Sequence, residues 1–173
     1  MRPGAATSAG LLASTFLVLA GCAQAPKGKS IAPATLAVDH THEAPVEVHV
    51  RGGGDGYRLS NEALHEAIVL AIERSQVFGK VLDDGAPYRL DVVIGGVHQP
   101  PIGWNFTVEV KTVWNLSTAD TNETIWQETI TGTDQATPGD AVVAVNRLRI
   151  ATERAARACV EEGIRRLSAL DLQ

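Results

Sequence analysis

The chain has 173 residues, with 15 lysines plus arginines against 20 aspartates plus glutamates and a formal net charge of −5. That length bounds one domain with a tail, and a mildly acidic chain without a basic block sets nucleic acid aside as a partner. Two cysteines, Cys22 and Cys159, are too few for a disulfide framework.

Met1 and Arg2 open the chain with a short basic stretch, and Leu11 to Ala20 form an uncharged apolar run. The run falls short of the roughly 20 apolar residues that span a bilayer, and suits the apolar core of a secretion signal. Leu19-Ala20-Gly21-Cys22 follow it. These four residues resemble the lipobox of bacterial lipoproteins. The resemblance implies cleavage between Gly21 and Cys22, a thioether-linked diacylglycerol on Cys22 and a palmitate-type acyl chain on its new amino group. One chain anchors weakly, at about 0.8 kcal/mol per buried methylene, while two or three anchor stably. Ala23 stands where an Asp would retain such a protein in the inner membrane, so the resemblance implies the periplasmic side of the outer membrane. With Cys22 acylated, Cys159 has no partner for a disulfide. Residues 1–21 thus read as a signal peptide. Residues 22–44 read as a lipid-anchored flexible tether, containing Pro26 and Pro33 and lacking sustained periodicity.

Residues 45–170 read as a periplasmic domain. Val46, Val48 and Val50 alternate with Glu47, His49 and Arg51, as in a half-buried strand. A glycine-rich loop, Gly52 to Gly56, leads to a helix capped by Ser60, with Glu62 at its positive end and Leu59 and Leu64 spaced as a hydrophobic staple. Leu64, Ile68, Ala71, Ile72 and Phe78 share one face, and Gly79 suits the residue after the helix. Asp83-Asp84-Gly85 turns the chain, Pro87 opens a second strand with Tyr88, Leu90, Val92 and Ile94 inward, and Gly95-Gly96 weakens its end. The third strand alternates most clearly. Trp104, Phe106, Val108, Val110, Thr112, Trp114 and Leu116 fall on one side, and Asn105, Thr107, Glu109, Lys111, Val113 and Asn115 on the other. A fourth strand through Thr124, Ile125, Trp126 and Ile130 alternates poorly, as an edge or bulged strand does. Thr137-Pro138-Gly139-Asp140 carries the signals of a helix start, and the final helix then extends to about Leu167 with Gly163 as a bending point.

The expected architecture is α+β, in the order β-α-β-β-β-α: two helices on one face of a four-stranded mixed or antiparallel sheet. The first two strands, joined by a helical crossover, suit a parallel pair, and the later connections suit hairpins. A lipobox and a domain of this order are similar to small envelope lipoproteins, among them the lipopolysaccharide-assembly lipoprotein that plugs an outer-membrane barrel and the auxiliary lipoproteins of ABC-type lipid transport. Asn122 to Trp126 and Arg149 to Ala156 have the flavour of that group. The likeness is architectural, and fold does not determine function.

No residue pattern here supplies a catalytic centre or a cofactor site. Gly52-Gly53-Gly54-Asp55-Gly56 sits where phosphate loops sit, yet no Gly-Lys-Ser/Thr follows and Asp55 would repel phosphate. Asp39-His40-Thr41-His42-Glu43, with His49, offers metal-binding side chains, but in a segment read as tether. Asp83-Asp84 marks a turn and Glu161-Glu162 a solvated helix face. Neither Gly-x-Ser-x-Gly nor His-Glu-x-x-His occurs, and the hexad repeat of β-helical acyltransferases is absent. Cys159, among alanines, reads as a small buried side chain. The leading expectation is a non-catalytic binding or assembly module. It would be held at the membrane by lipid on Cys22 and would meet an envelope protein through a sheet face or its fourth strand. The alternatives are lipid or glycolipid transport, which requires an apolar cavity between helices and sheet, and an envelope enzyme.

Overall fold

The computed structural model describes residues 24–53 and 59–172. The signal segment, the Gly21–Cys22 junction and residues 54–58 of the glycine-rich loop lie outside the described residues. The elements are α1 (Gly28–Ile31), β1 (Val46–Arg51), α2 (Asn61–Ser75), β2 (Val81–Leu82), β3 (Tyr88–His98), β4 (Phe106–Thr118), β5 (Thr124–Ala136) and α3 (Ala144–Ser168).

The sheet has the order β2-β1-β3-β4-β5. β1 runs parallel to both β2 and β3, as the helical crossover between β1 and β3 requires, and β3-β4-β5 is an antiparallel meander. The expected four strands are therefore five. Val81–Leu82 is too short to show alternation, and it becomes a strand only because β1 is there to pair with it. β3 also outruns its expected end: a register shift between Ile94 and Gly96 absorbs the two glycines and lets pairing continue to His98. A second shift, where Leu116 faces Trp126 but Ser117 faces Thr124, explains the broken alternation of β5.

α2 forms as its capping signals predict. Ser60 Oγ accepts the Ala63 amide at 3.2 Å, and Leu59 and Leu64 are both fully buried. Its inward face buries Leu64, Ile68, Ala71 and Ile72, each large aliphatic contributing about 1.5–3 kcal/mol on leaving water. The helix ends earlier than expected. Gln76 takes the left-handed position at φ 55°, returning its amide to the Ile72 carbonyl. Gly79 has another purpose: any Cβ there would collide with the Glu43 carbonyl. α3 starts later than expected. Thr137 and Asp140 do exchange hydrogen bonds, but they close a turn, and the helix begins at Ala144.

Trp104 departs furthest from its expected place. It continues the inward parity of β4, yet the strand begins at Phe106 and Trp104 is 81% exposed. Parity holds only while the backbone is paired, and two residues before Phe106 the chain has left the sheet.

Residues 24–44 correct the tether reading. Ile31, Ala32 and Pro33 are buried, and α1 packs on α2 and α3. The backbone is clamped along its length: Glu153 accepts the Lys27 amide at 3.2 Å, Arg157 donates to the Ser30 carbonyl, and Arg74 donates to the Pro33 carbonyl at 2.8 Å. Further on, the His40 amide donates to the Ser168 carbonyl at 3.1 Å, and His42 forms a parallel bridge with Phe78. Every one of these partners lies distant in sequence, so local composition carries no trace of them.

Between helices and sheet the core is closed by Trp114, Leu90, Leu116, Ile164 and Leu167, all at zero exposure. No helix among the described residues is long and apolar enough to cross a membrane.

Candidate functional site

The expected site residues divide between those outside the described chain and those that become structural. Gly21 and Cys22, the expected cleavage and lipidation residues, lie outside it. The described chain begins just after them, and its first fixed point is the Lys27 amide on Glu153 of α3.

The metal-ligand candidates do not converge. His42 is buried against Phe78, with ring centroids 5.2 Å apart, and its Nε2 lies 3.1 Å from the Leu167 carbonyl oxygen. His49 lies on β1, 3.4 Å from Glu47 Oε2. Among the described residues no group of three His, Cys, Asp or Glu side chains is placed to hold one ion.

The buried ionisable groups are spent on holding the fold. Glu47 is almost fully enclosed, accepting the Ala86 amide at 3.1 Å and Arg89 Nε at 3.4 Å. Burial pushes its carboxyl up, and the Ala86 amide with His49 and Arg89 outweighs that effect, leaving it below the ordinary carboxylate value. Glu153 binds Arg149 Nη1 at 2.9 Å through both oxygens besides taking the Lys27 amide. Burial raises the Cys159 thiol to about 11, and its sulfur donates to the Val110 carbonyl at 3.2 Å. A thiol so placed is a packed side chain rather than a nucleophile. Glu162 is half-buried and pairs with the exposed Arg165 and Arg166 along the outer face of α3.

Two features remain open to a partner. The first is the edge of β5, thirteen residues with no neighbouring strand on its outer side among the described residues. The outward face that it shares with β4 carries Thr107, Glu109, Lys111, Thr129, Thr131 and Thr133, all exposed. An unpaired edge presents a row of backbone donors and acceptors that a strand from another chain can take up. Trp126, also on β5, lies on the inner face and is half-buried.

The second feature is at one end of the sheet. A cleft of about 600 Å³ lies between the β3–β4 connection and the start of α3, lined by Pro100, Pro101, Phe106, Val145 and Leu148. Beside it Ile102, Trp104, Val142 and Val143 stand exposed. Sequence reasoning passed over this group. For Ile102, Val142 and Val143 the signal was their place inside Pro- and Gly-containing connections, whereas the parity of Trp104 pointed inward. At the opposite end a cleft of about 670 Å³ is lined by Glu47, residues 84–89 and residues 118–120.

No protein-family model matches the sequence, and no curated protein matches it. Solved structures do share the fold. A Xanthomonas campestris protein of the DUF330 family superposes with a TM-score of 0.60 at 12% identity, over 78% of this chain and 89% of that one. A candidate lipoprotein from Caulobacter crescentus gives 0.53 at 17% identity, over 71% and 87%. A minor lipoprotein from Acinetobacter baumannii gives 0.50 at 9% identity, over 74% and 90%. The fold is therefore one found among small bacterial lipoproteins. Within that fold the chain has its own features: a five-stranded sheet with an open β5 edge among the described residues, and Leu19-Ala20-Gly21-Cys22 a few residues ahead of the clamped Lys27.

Proposed function

We propose that this chain is a bacterial envelope lipoprotein, cleaved between Gly21 and Cys22 and held by lipid on Cys22 at the periplasmic face of the outer membrane. There it acts as a non-catalytic binding or assembly module. The anchor reading rests on Leu19-Ala20-Gly21-Cys22 behind the apolar run, and the shared fold supports it. The module reading is carried by the β5 edge, which offers a long unpaired strand to an envelope protein partner. The non-catalytic reading is supported by Glu47, Glu153, His42 and Cys159, whose polar atoms are committed to structural hydrogen bonds.

Lipid transport finds less support. A cargo held between helices and sheet would need the space that Trp114, Leu90 and Ile164 occupy.

The test is photo-crosslinking in cells, with the reactive side chain placed at Thr129 or Thr133 on β5 or, for comparison, at Asp91 on β3. A discrete adduct from the β5 positions and none from Asp91 is the expected result. Equal labelling, or no adduct at β5, would count against edge docking. Fatty-acid labelling that persists in Cys22→Ser would remove the anchor.

A further inference from the structure

The apolar group at the end of the sheet is held for display. His98 pairs with Glu109, and Phe106 pairs with Ala136, so the β3–β4 connection and the β5–α3 connection leave the sheet at the same end. Neither is free to fold its apolar side chains away. Gln99 Nε2 donates to Thr152 Oγ1 at 2.9 Å, tying the first connection to α3. Arg147, buried over the Phe106 ring, donates through Nη1 to the carbonyls of Ala141 at 2.9 Å and Val142 at 2.6 Å, fixing the second. One connection is tied down by a side chain and the other by its carbonyls, while Ile102, Trp104, Val142 and Val143 stand outward at 88, 81, 90 and 55% exposure. The connection from Gln99 to Asn105 has no charged residue. The other has only Asp140, which is turned back onto Arg154 at 2.6 Å.

The N-terminal end of the described chain is held on α3, the helix that starts at this tip. The Lys27 amide is clamped to Glu153, the residue after Thr152, which holds Gln99. From Glu153 to the start of α3 at Ala144 is about 14 Å of helix. From Lys27 back to Cys22, five residues can reach roughly 17 Å when fully extended. The two lengths are comparable, so the chain is long enough for a lipid on Cys22 to share a leaflet with the tip. Lys27 and Lys29, both exposed, belong to this clamped segment, and anionic headgroups would attract them.

We propose that Ile102, Trp104, Val142 and Val143 form a second membrane contact, inserted in the leaflet that holds the acyl chains of Cys22. The inference rests on the lipoprotein reading above. A tryptophan flanked by aliphatics at an uncharged tip suits the acyl–headgroup boundary, and with the acyl chains of Cys22 supplying the anchor, the tip has only to add a second point of contact. Contact at two points would also fix the orientation of the domain, turning the β5 edge at a constant angle to the bilayer.

The test uses the full mature protein in vesicles of phosphatidylethanolamine and phosphatidylglycerol with brominated acyl chains, reading tryptophan fluorescence. Trp114 is buried and Trp126 half-buried, so bromine should quench a component that is missing in Trp104→Phe. In Ile102→Asp/Val142→Asp, whose sites are too exposed to threaten folding, that quenching should fall several-fold or more. Intact mass of the same sample reads the lipid on Cys22 separately. Lipid present with no quenching of Trp104 overturns the membrane contact and leaves the anchor standing. Lipid absent with quenching retained supports the contact and removes the anchor. Trp104 unquenched by bromine but shielded from aqueous iodide only as protein concentration rises would assign the tip to a second copy, and overturn the proposal.

Discussion

The Trp114 indole rests against the bare backbone of Gly163: a methyl group there would lie 2.5 Å from Cη2 and Cζ2 of the ring. The glycine expected to bend α3 is instead where the helix lies closest on the sheet, and the helix runs unbroken through it. Gly132 does the same on β5, where a Cβ would collide with the Ala155 carbonyl. Two glycines on opposite layers thus bring α3 down onto β4 and β5, and the alanines between them keep the contact close.

Gly163→Ala tests this relationship by the sign of its effect. Helix propensity alone favours alanine by about 1 kcal/mol. The ring cannot swing away, being fully buried and bound through Nε1 to Thr112, and overpacking costs about 1–3 kcal/mol. A net loss of up to about 2 kcal/mol is expected, in place of the gain of about 1 kcal/mol that propensity alone would give, read from the shift in urea midpoint at unchanged slope. Gly96→Ala, with nothing within 4 Å of the added carbon, should change stability by less than about 0.5 kcal/mol.

Thr112 is the polar residue that makes Trp114 tolerable in the core. Its Oγ1 accepts the indole N–H at 2.9 Å and donates to the Ile130 carbonyl at 3.3 Å. Thr112→Val keeps the shape and strands the indole donor, so a loss of about 1–3 kcal/mol is expected. Thr112→Ser, which keeps the hydroxyl, should lose less. A larger loss for Thr112→Ser than for Thr112→Val in denaturant melts would show that the methyl group, not the hydrogen bond, matters.

The packed N-terminal segment has a direct measurement. In the native protein trypsin should cut slowly at Lys27 and Lys29, because the flanking backbone is held by Glu153 and Arg157. Arg157→Ala removes the Ser30 contact and should raise that cleavage rate about tenfold, with the global melting transition changing much less. Wild-type cleavage as fast as that of an unfolded peptide would restore the tether.

Asp140 makes stability depend on acid. The Thr137 amide at 2.8 Å and Arg154 at 2.6 Å bring its carboxyl from 3.8 to about 2. The folded state therefore binds this proton more weakly than the unfolded one. The resulting stabilisation is fully present above about pH 4 and is lost as pH falls toward 2. Asp140→Asn should flatten the stability curve over that interval and leave its slope near neutrality unchanged. An unaltered acid limb, followed by circular dichroism, would sink the assignment.

What could be read without the structure follows from local periodicity. The alternation through Tyr88–Ile94 and Phe106–Leu116 reports a sheet with one buried face, and Ser60 with Leu59 and Leu64 reports a helix start. Both signals lie within a few neighbouring residues. The Leu19–Cys22 pattern is local too, and the proposed anchor rests on it.

Tertiary structure decided the rest, because the deciding contacts join residues far apart in the chain. Val81–Leu82 is a strand only beside β1, and Trp104 leaves the core because the sheet ends at Phe106. Residues 24–44 are ordered by arginines and a glutamate contributed by α2 and α3. Gly163 is read correctly only when Trp114 is seen beneath it. The open edge and the apolar tip are of the same kind: each is defined by what does not pack against it, and one stretch of sequence cannot carry that information.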